Sequence, residues 1–158
     1  MHLLITGIPA TGKSTFSRWL SDVHGYVLCP STEEPGPDFF GEIARTRSQT
    51  NDAVIDWGFP VGQLPRVREL IANGVQGWWF DGDRDAAFQN FQTRAGHAAD
   101  ENAWHSHLGD ISQRWSEIQN AFAGRILNVI STGPILMSNE DRWKIISGSA
   151  EKTMDLQM

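Results

Sequence analysis

Cysteine is nearly missing from this 158-residue sequence: Cys29 stands alone, which excludes an internal disulfide framework and suits a reducing compartment. No apolar run approaches the roughly 20 residues that a membrane-crossing helix needs. The amino terminus passes directly into a short apolar run and a glycine loop without a basic leader, so no signal peptide is expected and the cytosol is the expected location. Positive charge is scarce as well. Thirteen Lys and Arg face nineteen Asp and Glu, and the net charge of −6 opposes counterion-driven, nonspecific binding to nucleic acid, although a local basic groove stays compatible with it. Repeats, linkers and low-complexity tracts are absent, and so is any Asn-Lys pair, which removes the guanine-reading motif of a switch GTPase.

The remaining composition, 40% apolar and 20% charged, is that of a folded globular chain of one domain. Its seven tryptophans (Trp19, Trp57, Trp78, Trp79, Trp104, Trp115, Trp143) are expected to fill the core. Apolar runs and helical spacing alternate. Strands are expected at residues 2–6, 25–29, 53–57, 75–80 and 125–130. Helices are expected at 13–23, 39–46, 64–73, 84–94, about 103–122 and 139–146, with loops at 31–37 and 95–102. This alternation predicts an α/β fold with a parallel sheet covered on both faces and ligands at the carboxyl ends of the strands. Residues 149–158 lack a core pattern and are expected to form a tail without a role.

One segment carries specific chemistry. Gly7-Ile8-Pro9-Ala10-Thr11-Gly12-Lys13-Ser14 satisfies G-x-x-x-x-G-K-[ST] between an expected strand and an expected helix. Glycines at Gly7 and Gly12 let the backbone curl around phosphate oxygens, and Pro9, Ala10 and Thr11 complete the turn. Lys13 supplies a mobile cation, and the helix amino terminus adds partial positive charge. Ser14 can place its hydroxyl on Mg²⁺, and Thr15 is assigned to the α-phosphate. A nucleoside triphosphate with Mg²⁺ is therefore the expected ligand. Large motor and transporter ATPases need longer domains and a paired carboxylate, whereas Asp56 is followed by Trp57 and Gly58.

With this loop, the run Val54-Ile55-Asp56-Trp57-Gly58-Phe59-Pro60, and the segments Phe80-Asp81-Gly82-Asp83 and Phe91-Gln92-Thr93-Arg94-Ala95-Gly96-His97, the sequence resembles the adenylate-kinase-like group of small P-loop kinases. The likeness extends to the gluconate-kinase, zeta-toxin and polynucleotide-kinase branches. It implies a three-layer fold over residues 1–148, with a five-stranded parallel sheet in the order 2-3-1-4-5 and a helical lid at about 95–113. It also implies transfer of the γ-phosphoryl group of ATP to a hydroxyl of a small molecule. By the same resemblance Asp56 organises the Mg²⁺ waters, a role that suits a carboxylate at the end of a central strand. Arg94 matches the arginine that opens the lid, with Arg114 a second candidate, because guanidinium both stacks and stabilises a transferring phosphoryl group. The loop containing Pro134 matches the place of the adenine edge.

The acceptor side departs from the family, which carries an acidic pair after its second strand where this chain reads Ser31-Thr32-Glu33-Glu34. Asp56, Glu33, Glu34 and Asp38 are all candidate general bases, with Asp56 preferred because its position is best fixed. Arg45 and Arg47 are candidates to grip an anionic group of the acceptor. His97, His105 and His107 are not read as a zinc site, since His105 and His107 on one helix do not share a face. Two other functions stay open: a polynucleotide 5′-hydroxyl kinase that stacks bases on Trp57 and Trp78, and a nucleotide-binding regulator without transfer activity.

Overall fold

Side chains alternate across each strand, and in this chain both sides are apolar because both faces of the sheet are covered. The computed structural model describes residues 1–29, 38–58, 60–96 and 100–155, with side chains through residue 149. Its strands are β1 (His2–Gly7), β2 (Val27–Leu28), β3 (Ala53–Asp56), β4 (Val75–Gly82), β5 (Ile126–Ser131) and β6 (Ile135–Leu136). The helices are α1 (Lys13–His24), α2 (Phe39–Gln49), α3 (Leu64–Ala72), α4 (Arg84–Ala95), α5 (Glu101–Gln113), α6 (Trp115–Phe122) and α7 (Asn139–Asp155). The sheet order is β2-β3-β1-β4-β5-β6. The expected five parallel strands are present in the expected order, and β6 adds a short antiparallel edge by folding back on β5.

Leu4, Ile55 and Trp79 face α2 to α6, where Phe39, Ile43, Val67, Trp104, Ile118 and Phe122 close one half of the core. Leu3, Ile5, Val54, Trp78 and Phe80 face the other way, onto Phe16 and Leu20 of α1 and Ile146 of α7. Each such aliphatic or phenyl side chain, fully withdrawn from water, contributes about 1.5–3 kcal/mol. The adjacent tryptophans Trp78 and Trp79 thus serve opposite layers, and Trp57 is wholly buried against Phe39 and Phe40. Neither Trp57 nor Trp78 offers an open face to a nucleobase, so the stacking residues expected for a polynucleotide substrate are spent in the core. Among the described residues no helix is long and apolar enough to cross a membrane.

Two elements differ from expectation. The single helix expected from about Ala103 to Phe122 is α5 and α6, interrupted at Arg114, which leaves helical geometry and donates its Nη1–H to the Val61 carbonyl at 3.0 Å. No Gly or Pro marks the break. It is imposed by tertiary contacts, with Trp115 turned toward Trp79 and stacked under the Arg84 guanidinium. The last helix runs on to Asp155 rather than ending near Ile146, because no proline follows Gly148 to stop it.

The only tyrosine of the chain reports on the α1–α7 layer. Burial, followed by the nearby Asp52 carboxylate, pushes the Tyr26 phenol from 10.0 up to about 12. A raised folded-state value stabilises the fold below the unfolded value of 10.0 and withdraws that stability as pH climbs toward about 12. Tyrosinate absorbance followed with circular dichroism should therefore stay flat through pH 10 and rise only as this interval is crossed. Ionisation at pH 10 with the fold intact would contradict the burial.

Candidate functional site

The site starts where β1 runs out. Gly7, at φ +141°, lies so close to β4 that a Cβ there would sit 2.0 Å from the Phe80 carbonyl oxygen, and Ile8 N–H donates to that same oxygen at 3.0 Å. The loop then turns through Ala10, at φ 61°, and Gly12, at φ 77°, into α1. No side chain caps α1, and no acidic residue stands in its first turn. By contrast α4 and α5 are capped by Asp83 and Asp100, whose carboxylates accept from Ala86 and Ala103 N–H. α1 thus begins without a side-chain cap at the positive end of its dipole, where an anion is favoured.

Beside them the register of β1 with β3 sets Ile5 opposite Asp56, and Trp57 N–H donates to Ile5 C=O. This carries the Asp56 carboxylate, only 5% exposed, to the mouth of the loop, where its Oδ2 accepts the Ser14 hydroxyl at 2.7 Å. No basic side chain is ion-paired with Asp56 among the described residues. A buried carboxylate joined to a hydroxyl is a hard oxygen donor set that fits Mg²⁺, which takes one or two protein oxygens and completes its shell with water and phosphate. No group of three His, Cys, Asp or Glu gathers among the described residues. Lys13 Nζ folds over the loop and donates to the Ile8 carbonyl at 2.7 Å, and the buried Thr11 hydroxyl donates to that oxygen at 2.9 Å.

A cleft of about 410 Å³ opens on the α1 side of the loop, lined by Gly12, Thr15, Asn90, Arg94, Met137 and Arg142 among others. Arg94 is therefore beside the loop. Pro134 lies instead in the exposed turn between β5 and β6, and the chain lines the cleft through Leu136 to Asn139. Arg114 is held at the Val61 carbonyl, outside this cleft. Sequence reasoning missed Asn90 and Arg142. Asn90 Nδ2 donates to Ala10 C=O at 2.8 Å, and Arg142 Nη1 donates to Thr11 C=O at 2.7 Å. Neither belongs to a local motif, and a polar residue on a helix carries no signal of a partner 80 or 131 positions away.

Of the acceptor candidates, Glu33 and Glu34 lie outside the described residues, as does His97. Asp38 and Arg45 form an exposed pair at 3.4 Å on the start of α2. Arg47 is not brought to the site: it donates to His2 Nδ1 at 2.9 Å and to Asn73 C=O at 2.6 Å, at the amino ends of β1 and β4. Asp81, on the segment that carried the family likeness, is occupied by Trp79 Nε1–H, Gly82 N–H and Arg84, and so secures the end of β4.

No family model matches the sequence, and no curated protein matches it. Solved structures do resemble the fold. A gluconokinase from Sinorhizobium meliloti 1021 superposes with a TM-score of 0.61 at 13% identity, over 99% of this chain and 95% of its own. A deoxyadenosine kinase from M. mycoides with bound dATP gives 0.58 at 13% identity, over 96% and 100%. A shikimate kinase from Bacteroides thetaiotaomicron gives 0.55 at 16% identity, over 100% and 99%. This chain shares its fold with these three solved structures.

Gly12 tests the loop geometry without any ligand. Its φ of 77° is left-handed, and a Cβ would meet the Arg142 guanidinium nitrogens at 3.3 Å. Gly12→Ala should cost about 1–2 kcal/mol from the backbone alone. Denaturant unfolding measures this loss, and a variant as stable as the parent would show that the loop relaxes freely.

Proposed function

We propose that the protein is a cytosolic kinase that uses ATP and Mg²⁺ and transfers the γ-phosphoryl group to the hydroxyl of a small molecule. The observation that carries this reading is the Ser14–Asp56 hydrogen bond of 2.7 Å beside the uncapped amino terminus of α1. It joins an anion site to a metal-compatible oxygen pair from residues 42 apart in sequence. The similar solved structures are, by name, kinases of small molecules, which supports the same class of acceptor here.

The loop amides and Lys13 would hold the β- and γ-phosphates, with Lys13 leaving the Ile8 carbonyl to do so. Bound Mg²⁺, held by Ser14 and Asp56, would neutralise charge between those phosphates. Arg94 would add a guanidinium as negative charge grows on the leaving group. The acceptor oxygen forms its bond to the γ-phosphorus as the bond to the ADP oxygen breaks, and the hydroxyl proton passes to a carboxylate. Asp56 is the best-fixed carboxylate for that role, with Asp38, Glu33 and Glu34 as the other acids of the acceptor side.

ADP release measured against a panel of sugar acids, polyols and nucleosides should rise with one acceptor class. Lys13→Ala should abolish that release and weaken ATP binding with the fold intact. Asp56→Asn should keep Mg²⁺-free nucleotide affinity while kcat falls about 10²-fold or more. Parental turnover in Lys13→Ala would overturn the assignment, and an unchanged kcat would remove Asp56 from the site.

Residues 95–113 would act as a lid that excludes water from the γ-phosphoryl group. Trp104 packs on Phe88 and Phe91 at 5.3 and 5.1 Å, which ties α5 to α4, the helix that carries Arg94. Amide exchange in that segment should slow with a non-hydrolysable ATP analogue plus acceptor. Equal exchange in free and doubly bound protein would sink the lid.

A further inference from the structure

Binding of phosphate by this loop requires backbone N–H groups that point at it, and two side chains outside the motif hold carbonyls of the same peptides. In a trans peptide the C=O and N–H groups face opposite ways, so holding a carbonyl outward turns the following amide inward. Asn90 of α4 holds the Ala10 carbonyl, which turns the Thr11 amide away from α4. Arg142 of α7 holds the Thr11 carbonyl, which turns the Gly12 amide away from α7. The two helices pack on opposite faces of the sheet, so the loop is gripped from both layers.

Arg142 is itself immobilised. Its Nε–H donates to Met137 C=O at 3.1 Å and its guanidinium lies over the Phe80 ring at 5.1 Å. It is 2% exposed, and among the described residues no carboxylate pairs with it. Burial lowers its pKa to about 10, which leaves it charged at neutral pH. A buried cation without an anion is costly to keep, so its retention beside a phosphate loop asks for a reason. A planar fork that grips two carbonyls at fixed angles supplies one, and a lysine could not reproduce it.

We propose that Asn90 and Arg142 are positioning residues of the phosphate loop, which hold the Ala10 and Thr11 carbonyls outward and thereby preset the Thr11 and Gly12 amides for a polyphosphate. This rests on the nucleotide-binding reading above. Both residues also line the cleft, so the alternative is direct contact with the nucleoside.

Calorimetric titration with ADP and, separately, with inorganic tripolyphosphate separates these cases, using the parent protein, Asn90→Ala, Arg142→Met and Arg142→Lys. Positioning through the loop predicts that Asn90→Ala and Arg142→Met each weaken both ligands by the same factor, about tenfold to a hundredfold. Arg142→Lys should fail to restore binding. The double variant should lose less than the product of the two single losses, because both act on one loop. In the ligand-free protein, residual dipolar couplings of the Thr11 and Gly12 N–H groups should differ in Asn90→Ala and Arg142→Lys from those of the parent, because the two N–H vectors lose their fixed orientation. Loss of ADP affinity with parental tripolyphosphate affinity would overturn the proposal in favour of nucleoside contact. Full rescue by lysine would reduce Arg142 to a point charge and also overturn it. A parent protein that binds neither ligand would refute the nucleotide reading instead. In that case parental N–H couplings at Thr11 and Gly12 in both variants would refute the positioning role independently.

Discussion

The parallel pairing of β1 between β3 and β4 fixes the distances on which the site depends. Pairing with β3 brings the end of that strand level with the loop, so that Asp56 reaches the Ser14 hydroxyl. Pairing with β4 brings Phe80 against Gly7 so tightly that only glycine fits, and it ties Ile8 to the Phe80 carbonyl as the loop departs. A sheet buried on both faces resists a shift of register, because a slip by one residue would exchange Leu3 and Ile5 with Leu4 between the two core layers. Core packing therefore sets the geometry of a polar site at the sheet's edge. The apolar alternation and the position of Asp56 are two consequences of one register.

Legibility in the sequence followed how local each feature is. The turn from β1 into α1 was readable because its requirements are consecutive: glycines where φ is positive, and a strand and helix on either side. The strand order came from the resemblance, and the strands themselves from apolar runs bounded by glycine and proline. The interruption at Arg114 was not readable, since Ile111 and Ile118 continue the helical spacing and the break depends on a carbonyl at Val61. The β5–β6 hairpin was missed for a related reason. Ile135 and Leu136 are exposed, so burial leaves no alternation there, and Met137 N–H pairing to Val129 C=O defines the turn only in three dimensions. Arg47 looked like half of an acceptor clamp by proximity to Arg45, yet two positions along a helix differ by about 200° in direction. The pair could not face one ligand, and the structure sends Arg47 to the other end of the sheet.

Asn90 and Arg142 show what a motif leaves unspecified. The loop sequence permits its conformation but does not impose it, and Ala10 at φ 61° is held where a residue with a Cβ pays about 1–2 kcal/mol. A net hydrogen bond contributes about 0.5–1.5 kcal/mol, so the single bond from Asn90 to the Ala10 carbonyl is of the size needed to offset that strain. Arg142 and the Thr11 hydroxyl add two further hydrogen bonds to the same bent loop. Preset donors cost no reorganisation when charge appears, which is the condition under which backbone amides stabilise a phosphoryl group most effectively. If the loop binds phosphate as proposed, its specificity is divided: the motif supplies groups that can turn inward, and α4 and α7, through Asn90 and Arg142, hold the carbonyls beside them.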